Sequence, residues 1–255
     1  MKTSLSRKEA EEIQRIVSLS NASDGTVYSA PLDADLYFLG TCRGETAAFL
    51  AVYFMGETEK RHPVCELLLF TRPDLRGQGR MKRLIGKMEE TFSGEKERNR
   101  PVWRILAYDS RAAEGFLKKK SFTRRYDELL MLKEESAETA PESPAFGEET
   151  LRTDMPASAC GEGSFHFEND HSETDVRISG NTAFFSGVRT DTSWLRKGYA
   201  GQLLNDTVQI LKRRGIRTFL LQVSSENKAA VSLYTKLGFT VAERLGVWYH
   251  SSGKA

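Results

Sequence analysis

The sequence predicts an α/β protein made of two domains of one fold, each built on a mixed sheet. The first observation is the order of elements in residues 181–239, where a strand, a glycine-containing turn, a helix, a strand and a short helix follow one another. The second is that this order occurs twice, since Gly79 and Gly198 lie 119 positions apart and Phe122 and Phe239 lie 117 apart. A repeat of this length is too long for a solenoid, so it indicates two related domains.

Composition sets the broad class of the protein. The chain has 255 residues, of which 39% are hydrophobic and 28% are charged, so it can form a packed core. A net charge of +2 favours neither nucleic acid nor a membrane surface as a partner. Cys42, Cys65 and Cys160 are too scattered for a disulfide framework or a zinc site, so we expect no metal. We expect a cytoplasmic protein, because no signal segment and no run of about 18 apolar residues is present.

The elements of the N-terminal half begin with a helix. Ser6 and Glu9 form a capping-box pattern, and apolar residues follow at helical spacing to about residue 18. A leucine-rich strand at 64–71 is predicted to be buried on both faces. Met81, Leu84, Ile85, Met88 and Phe92 form the apolar stripe of a second helix. The remaining predictions are strands at 35–41, 46–55, 102–108 and 122–132, and a short helix at 112–120.

A linker separates the two halves. Residues 136–149 are rich in Ala, Glu, Ser and Pro and have no apolar period. We therefore predict an N-terminal domain at 1–135, a linker at 136–150 and a C-terminal domain at 151–255. Residues 151–175 contain strand-like pieces and few helix signals, so the C-terminal domain is expected to lack early helices.

The turn after the strand at 181–190 has the features of an anion site. It comprises Arg196, Lys197, Gly198, Tyr199, Ala200 and Gly201. The first N–H groups of a helix have no intrahelical partner and carry partial positive charge, and small residues let a phosphate approach them. The turn therefore predicts a phosphate site, although a plain turn glycine beside two solvated bases would have the same sequence.

A second motif narrows the interpretation. The short helix and the turn after it contain the pattern N-x-x-A-x-x-L-Y-x-x-x-G-F. Its named positions are Asn227, Ala230, Leu233, Tyr234, Gly238 and Phe239. Together with the turn, this motif resembles the coenzyme-A-binding motifs of the GNAT superfamily of N-acetyltransferases. The family turn is Gln/Arg-x-x-Gly-x-Gly/Ala; Gly198 and Ala200 match it, and Leu195 stands where Gln or Arg is usual.

The resemblance implies tandem acyl-CoA N-acyltransferase folds. It implies that acetyl-CoA donates an acetyl group to a primary amine by direct attack in a ternary complex, with the protein a monomer (a pseudo-dimer) or a homodimer. Asn227 would lie near the pantetheine or phosphate arm. Gly187, Val188 and Thr190 would line the donor, the first two through N–H groups that stabilise the oxyanion. Tyr234 would protonate the leaving sulfur, unless it is only a half-buried packing aromatic.

The residue that accepts the amine proton stays open at this stage. The alternating strand at 165–170 places His166, Glu168 and Asp170 on one side, as an acceptor pocket or as a solvated face. Glu66 lies within an apolar strand, where it is a base or a partner in a buried hydrogen bond. Cys65 and Cys160 are candidates for a nucleophile or for packing.

The N-terminal half resembles the family less closely. Arg76-Gly77-Gln78-Gly79 is close to the phosphate turn, but Met81 replaces the final small residue, Leu117 the tyrosine and Ser121 the glycine. We therefore predict that this half has lost catalysis, and whether it still binds the cofactor stays open at this stage. Two alternatives for the whole protein remain: a non-catalytic acyl-CoA-binding or regulatory module, and an acyltransferase for longer chains.

Overall fold

A computed structural model describes residues 1–57, 62–96, 99–135, 151–156 and 162–251. The predicted linker at 136–150 and Cys160 lie outside these residues. No helix in the described ranges combines the length and apolarity that crossing a bilayer requires.

The described residues form a mixed α/β structure. The helices are α1 Arg7–Asp24, α2 Arg80–Phe92, α3 Arg111–Lys119, α4 Tyr199–Arg213 and α5 Lys228–Lys236. The strands are β1 Leu36–Cys42, β2 Glu45–Glu57, β3 Pro63–Thr71, β4 Val102–Tyr108, β5 Thr123–Glu134, β6 Arg152–Thr153, β7 Gly163–Glu168, β8 Ser172–Ser179, β9 Thr182–Thr190, β10 Thr218–Ser224 and β11 Thr240–Ser251.

Contacts divide the chain into two compact units. Unit 1 comprises Met1–Arg125 and Leu245–Ala255, and unit 2 comprises Tyr126–Arg244. Most of β5 therefore belongs to unit 2, and the end of β11 belongs to unit 1. The domain boundaries drawn from the sequence repeat stay a prediction.

Unit 1 has helices on both faces of its strands, which run in the order β1-β2-β3-β4-β11. Ile13, Ile16 and Val17 of α1 pack on one face, and α2 and α3 pack on the other. Strand β2 serves both cores, because residues 46–52 are all buried. Strand β3 also contributes to both cores, as predicted for residues 64–71, since Cys65 and Leu67 are buried in one core and Phe70 in the other. Most of its other residues are only partly buried.

Unit 2 has its helices on one face. Its strands run in the order β5-β10-β9-β8-β7-β6, and α4 and α5 share one core with them. Among the described residues from 126 to 198 there is no α-helix. Glu173, Asp175 and Arg177 of β8 alternate with buried residues and lie on the face opposite the core.

The predicted elements are confirmed, and their ends differ by a few residues. Helix α1 continues beyond residue 18 to Asp24, where Gly25 ends it in the left-handed conformation at φ 68°. The repeat is visible in backbone detail. Ser121 follows α3 at φ 59°, and Gly238 follows α5 at φ 87°. A serine therefore adopts the turn that a glycine makes in the other copy.

Each unit contains a pair of parallel strands that separate at one end. In unit 2 the pairing of β9 with β10 ends at Phe185 and Leu221. In unit 1 the pairing of β3 with β4 ends at Leu67 and Ile105. Beyond these points, the facing strand edges leave backbone groups without a strand partner and open a cleft.

Candidate functional site

The start of α4 is open to an anion. Gly198 occupies the N-cap position at φ 96°, and no side chain of the described residues caps the helix. The first intrahelical bond runs from the Gln202 N–H to the Gly198 carbonyl at 3.0 Å. The amides of Tyr199, Ala200 and Gly201 thus have no intrahelical acceptor and carry the partial positive charge of the helix start.

The turn before α4 is held by a cluster of rings. The Trp194 ring stacks on His171 with 3.7 Å between centroids and 8° between planes, and Tyr199 meets both rings edge-on. The Lys197 ammonium lies 4.0 Å from the Trp194 ring centroid. Arg196 takes a left-handed φ of 60° in this turn. Trp194 is half-buried and packs against these neighbours.

Asn169 ties the same region to the strands. Its side-chain oxygen accepts from the N–H groups of His171 (3.1 Å) and Ser172 (2.8 Å), and its amide donates to the Tyr199 carbonyl (3.0 Å). The residue is 6% exposed. This role could not be predicted from the sequence, because an Asn in a turn indicates bonds to the local backbone and nothing local indicates the bond to α4.

Helices α4 and α5 approach closely at Gly201. A Cβ added there would lie 3.3 Å from the Leu233 side chain. Because Leu233 precedes Tyr234, this contact brings the start of α4 and the helix that holds Tyr234 together. Two predicted site segments, the turn and α5, are therefore neighbours.

A bulge interrupts β9 where the strands separate. Glu173 pairs with Arg189 and Asp175 pairs with Ser186, so Gly187 and Val188 face a single residue of β8. Gly187 has φ 62°, the left-handed value that such bulges need. The bulge changes the direction of the backbone just beyond the last residue paired with β10. Thr190 ends the strand, with its hydroxyl 2.8 Å from that of Ser172.

A histidine–aspartate pair lies beside the bulge. His166 Nδ1 is 2.9 Å from Asp175 Oδ1, and Asp175 Oδ2 is 3.3 Å from the position of a Cβ on Gly187. The hydrogen bond with Asp175 raises the pKa of His166, with smaller effects from Glu173 and Glu168. Sequence analysis named His166 but missed Asp175, which lies on a different strand.

The other candidates for a base are held by cations or buried. Arg152 donates to Glu168 at 2.8 Å and to Asp170 at 3.1 Å, and its hydrogen bond lowers the pKa of Glu168. Glu66 lies 3.5 Å from the Arg104 guanidinium. Burial raises the pKa of the Cys65 thiol to about 12, as expected for a packing residue.

The two polar residues of the second motif have distinct settings. The Asn227 side chain accepts from the Ala230 N–H at 3.1 Å and so caps α5. Tyr234 is 7% exposed, and its ring packs against Phe239 at 6.2 Å between centroids. Burial raises the pKa of Tyr234. A phenol in this setting is protonated at neutral pH.

Comparison with known proteins agrees with this architecture. The model of the acetyltransferase (GNAT) family matches residues 156–239. A ribosomal-protein-bS18-alanine N-acetyltransferase of Escherichia coli K12 is 35% identical over 69 residues, which is 27% of this chain and 45% of the relative. The chain therefore aligns with about half the length of this relative.

Solved structures match nearly the whole chain. A GCN5-related N-acetyltransferase from Sphaerobacter thermophilus superposes with a TM-score of 0.70 at 16% identity, over 97% of this chain and 94% of its own. A tandem GNAT protein of the clavulanic acid biosynthesis pathway gives 0.67 at 12% identity, over 97% and 96%. At such identities the likeness establishes the fold. Residues 156–239 are thus similar to the GNAT acetyltransferase family, and the whole chain has the mixed α/β fold of tandem GNAT proteins.

Proposed function

We propose that unit 2 transfers the acetyl group of acetyl-CoA to a primary amine. The observation that supports this most strongly is the combination, within one unit, of an uncapped helix start, a cleft between separating strands and a buried tyrosine. The first suits a diphosphate, the second an extended amide-bearing arm and the third a departing thiolate. The family match supports an acyl-CoA donor.

The donor would bind chiefly through the backbone. The amides of Tyr199, Ala200 and Gly201 would hold the diphosphate, with Arg196 and Lys197 adding charge at its rim. The pantetheine arm would lie along the unpaired edges of β9 and β10, as an added strand does. Asn227 stands at the start of α5 beside this cleft.

The reaction follows from the surroundings of the thioester. The neutral amine attacks the carbonyl carbon, the new C–N bond forms and the C–S bond breaks. N–H groups of Gly187 and Val188 would stabilise the negative charge on the carbonyl oxygen, because the bulge turns the backbone at this point. Tyr234 would donate its proton to the departing sulfur and regain one from solvent.

His166 is the base that the geometry favours for the amine proton. The Asp175 carboxylate orients the imidazole and stabilises its charged form after proton transfer. The pair lies beside Gly187, where the carbonyl would be held. Glu168 and Asp170 are weaker candidates because Arg152 already neutralises them.

The experiment is release of free coenzyme A, measured with a thiol reagent, in the presence of an amine panel. The panel includes a peptide with an N-terminal alanine, since the E. coli relative is named for that acceptor, a lysine-containing peptide and small primary amines. We expect amine-dependent release that Gly198→Glu abolishes. Binding of acetyl-CoA without release, with every amine and at every pH tested, would favour the non-catalytic module instead.

A further inference from the structure

Unit 1 contains a cleft like that of unit 2, between β3 and β4. The pairing of these strands stops at Leu67 and Ile105, so Leu106 and Tyr108 lie beyond the last paired residues. In a parallel ladder, one partner residue opposite Ala107 would donate to the Leu106 carbonyl and accept from the Tyr108 N–H. Strand β3 does not supply that residue.

The hydroxyl of Tyr28 makes both of these bonds. It donates to the Leu106 carbonyl at 3.4 Å and accepts from the Tyr108 N–H at 3.1 Å. The Tyr28 ring meets Phe70, near the end of β3, at 5.3 Å and Tyr108, at the end of β4, at 4.8 Å, both edge-on. One side chain from outside the sheet therefore lies between the separating strands and hydrogen-bonds two backbone groups at the edge of β4.

The segment that holds Tyr28 is fixed in place. Asn21 donates to the Tyr28 carbonyl at 2.8 Å and accepts from the Tyr28 N–H at 3.1 Å. Thr26 donates to the same Asn21 oxygen at 2.8 Å. The position of Tyr28 thus depends on the end of α1, an element for which unit 2 has no counterpart in its described residues.

The same segment neutralises the phosphate-like turn of unit 1. The Asp24 carboxylate accepts two bonds from the Arg76 guanidinium, at 2.7 Å and 2.8 Å. Arg76 is the first residue of the Arg76-Gly77-Gln78-Gly79 turn. A carboxylate therefore already satisfies the cation that a phosphate would approach.

Among the described residues of unit 2 there are no equivalent contacts. Gln222 and Ser224 of β10 correspond to Leu106 and Tyr108, and none of the hydrogen bonds between described residues joins a side chain to the Gln222 carbonyl or the Ser224 N–H. Leu195 stands at the place of Arg76. The two units differ in what fills the cleft, while the strand arrangement is the same.

We propose that Tyr28 and Asp24 act as a built-in ligand of unit 1, filling a latent cleft that would accept an extended amide-bearing chain such as pantetheine. The chain then holds one open cleft and one closed by its own residues. The proposal rests on the proposed function only for the choice of coenzyme A as a probe.

The first test is stoichiometry, by calorimetric titration of the full chain with coenzyme A. We expect one equivalent bound by the natural protein and none by Gly198→Glu. Binding that survives in Gly198→Glu and disappears when Gly79→Glu is added would show an open unit 1 and overturn the proposal. No binding by the natural protein would count against the proposed function, and the second test would still decide the present proposal.

The second test opens the cleft. In the Gly198→Glu background, Tyr28→Ala should allow pantetheine, at about ten times its dissociation constant, to raise Tm by about 3 to 6 °C. Tyr28→Phe, which keeps the ring, is the matched control and should show no rise. A folded Tyr28→Ala protein that does not respond would overturn the proposal. If that variant does not fold, the stoichiometry of Gly198→Glu still decides it.

Discussion

Tyr234 has a packed ring and a pKa that burial raises, so its hydroxyl is protonated at neutral pH. Tyr234→Phe removes only the hydroxyl and leaves the packing against Phe239. We expect kcat to fall by about 10²- to 10⁴-fold, the usual contribution of a general acid, with little change in the Kd for acetyl-CoA. Steady-state kinetics and calorimetry give the two quantities. Unchanged turnover would remove the proposed role of the hydroxyl.

His166 supplies a prediction about pH. The active base is the neutral imidazole, and Asp175 raises its pKa above the ordinary value of 6.5. Activity should therefore fall as pH decreases through this raised pKa. For stability the sign is opposite: the raised pKa stabilises the fold below the unfolded pKa, and this contribution is lost as pH rises through the folded one.

The pH profile of kcat/KM tests this role. His166→Gln should lower activity and remove the step, whereas Asp175→Asn should move the midpoint to lower pH. A profile that keeps its midpoint in His166→Gln would assign the base elsewhere.

At the scale of elements, the helices divide by how they begin. Helices α1, α3 and α5 have side-chain caps from Ser6, Ser110 and Asn227, whereas α2 and α4 begin at left-handed glycines and have no cap from a described side chain. Each uncapped helix follows a turn that resembles the phosphate turn. Within unit 2 the uncapped start of α4 is the part of the fold that suits an anion, because capping would occupy its amides.

Asn227 tests the balance between capping and binding. Asn227→Ala should lower the free energy of unfolding by about 1 kcal/mol through loss of the α5 cap. Asn227→Ser should keep most of the free energy of unfolding, because serine can also cap the helix. Urea unfolding measures the difference. A serine variant with full stability but weaker acetyl-CoA binding would assign the amide a contact with the donor, and equal binding would restrict Asn227 to capping.

At the scale of the whole molecule, the two units offer a matched pair of variants. Acetyl-CoA at 100 times its Kd should stabilise the protein by about 2.7 kcal/mol. Gly198→Glu should abolish this stabilisation, because it places a carboxylate and a strained backbone where the diphosphate would bind. Gly79→Glu makes the same change in unit 1, and acetyl-CoA should still stabilise this variant. Thermal unfolding measures both, and the reverse result would move the donor site to unit 1.

Much of this molecule could be predicted from its local sequence. The elements around Gly79 and Gly198 follow from hydrophobic periodicity and from the turn residues, and both glycines adopt the left-handed conformation that glycine favours in turns. Asp175, Asn169 and Tyr28 could not be found in this way. Each acts on a residue of another element, 9, 30 and about 80 positions away in the chain.

The repeated order of elements, the two glycine turns and the family resemblance of the C-terminal half can be predicted from the sequence, because periodicity and turn residues act over a few positions. What fills each cleft depends on contacts that the folded chain makes. In unit 1 the end of α1 brings Tyr28 and Asp24 to the separated strands and their turn, and in unit 2 the described residues before α4 form no such helix. Occupancy of a cleft depends on contacts between distant segments, and these exist only once the chain has folded.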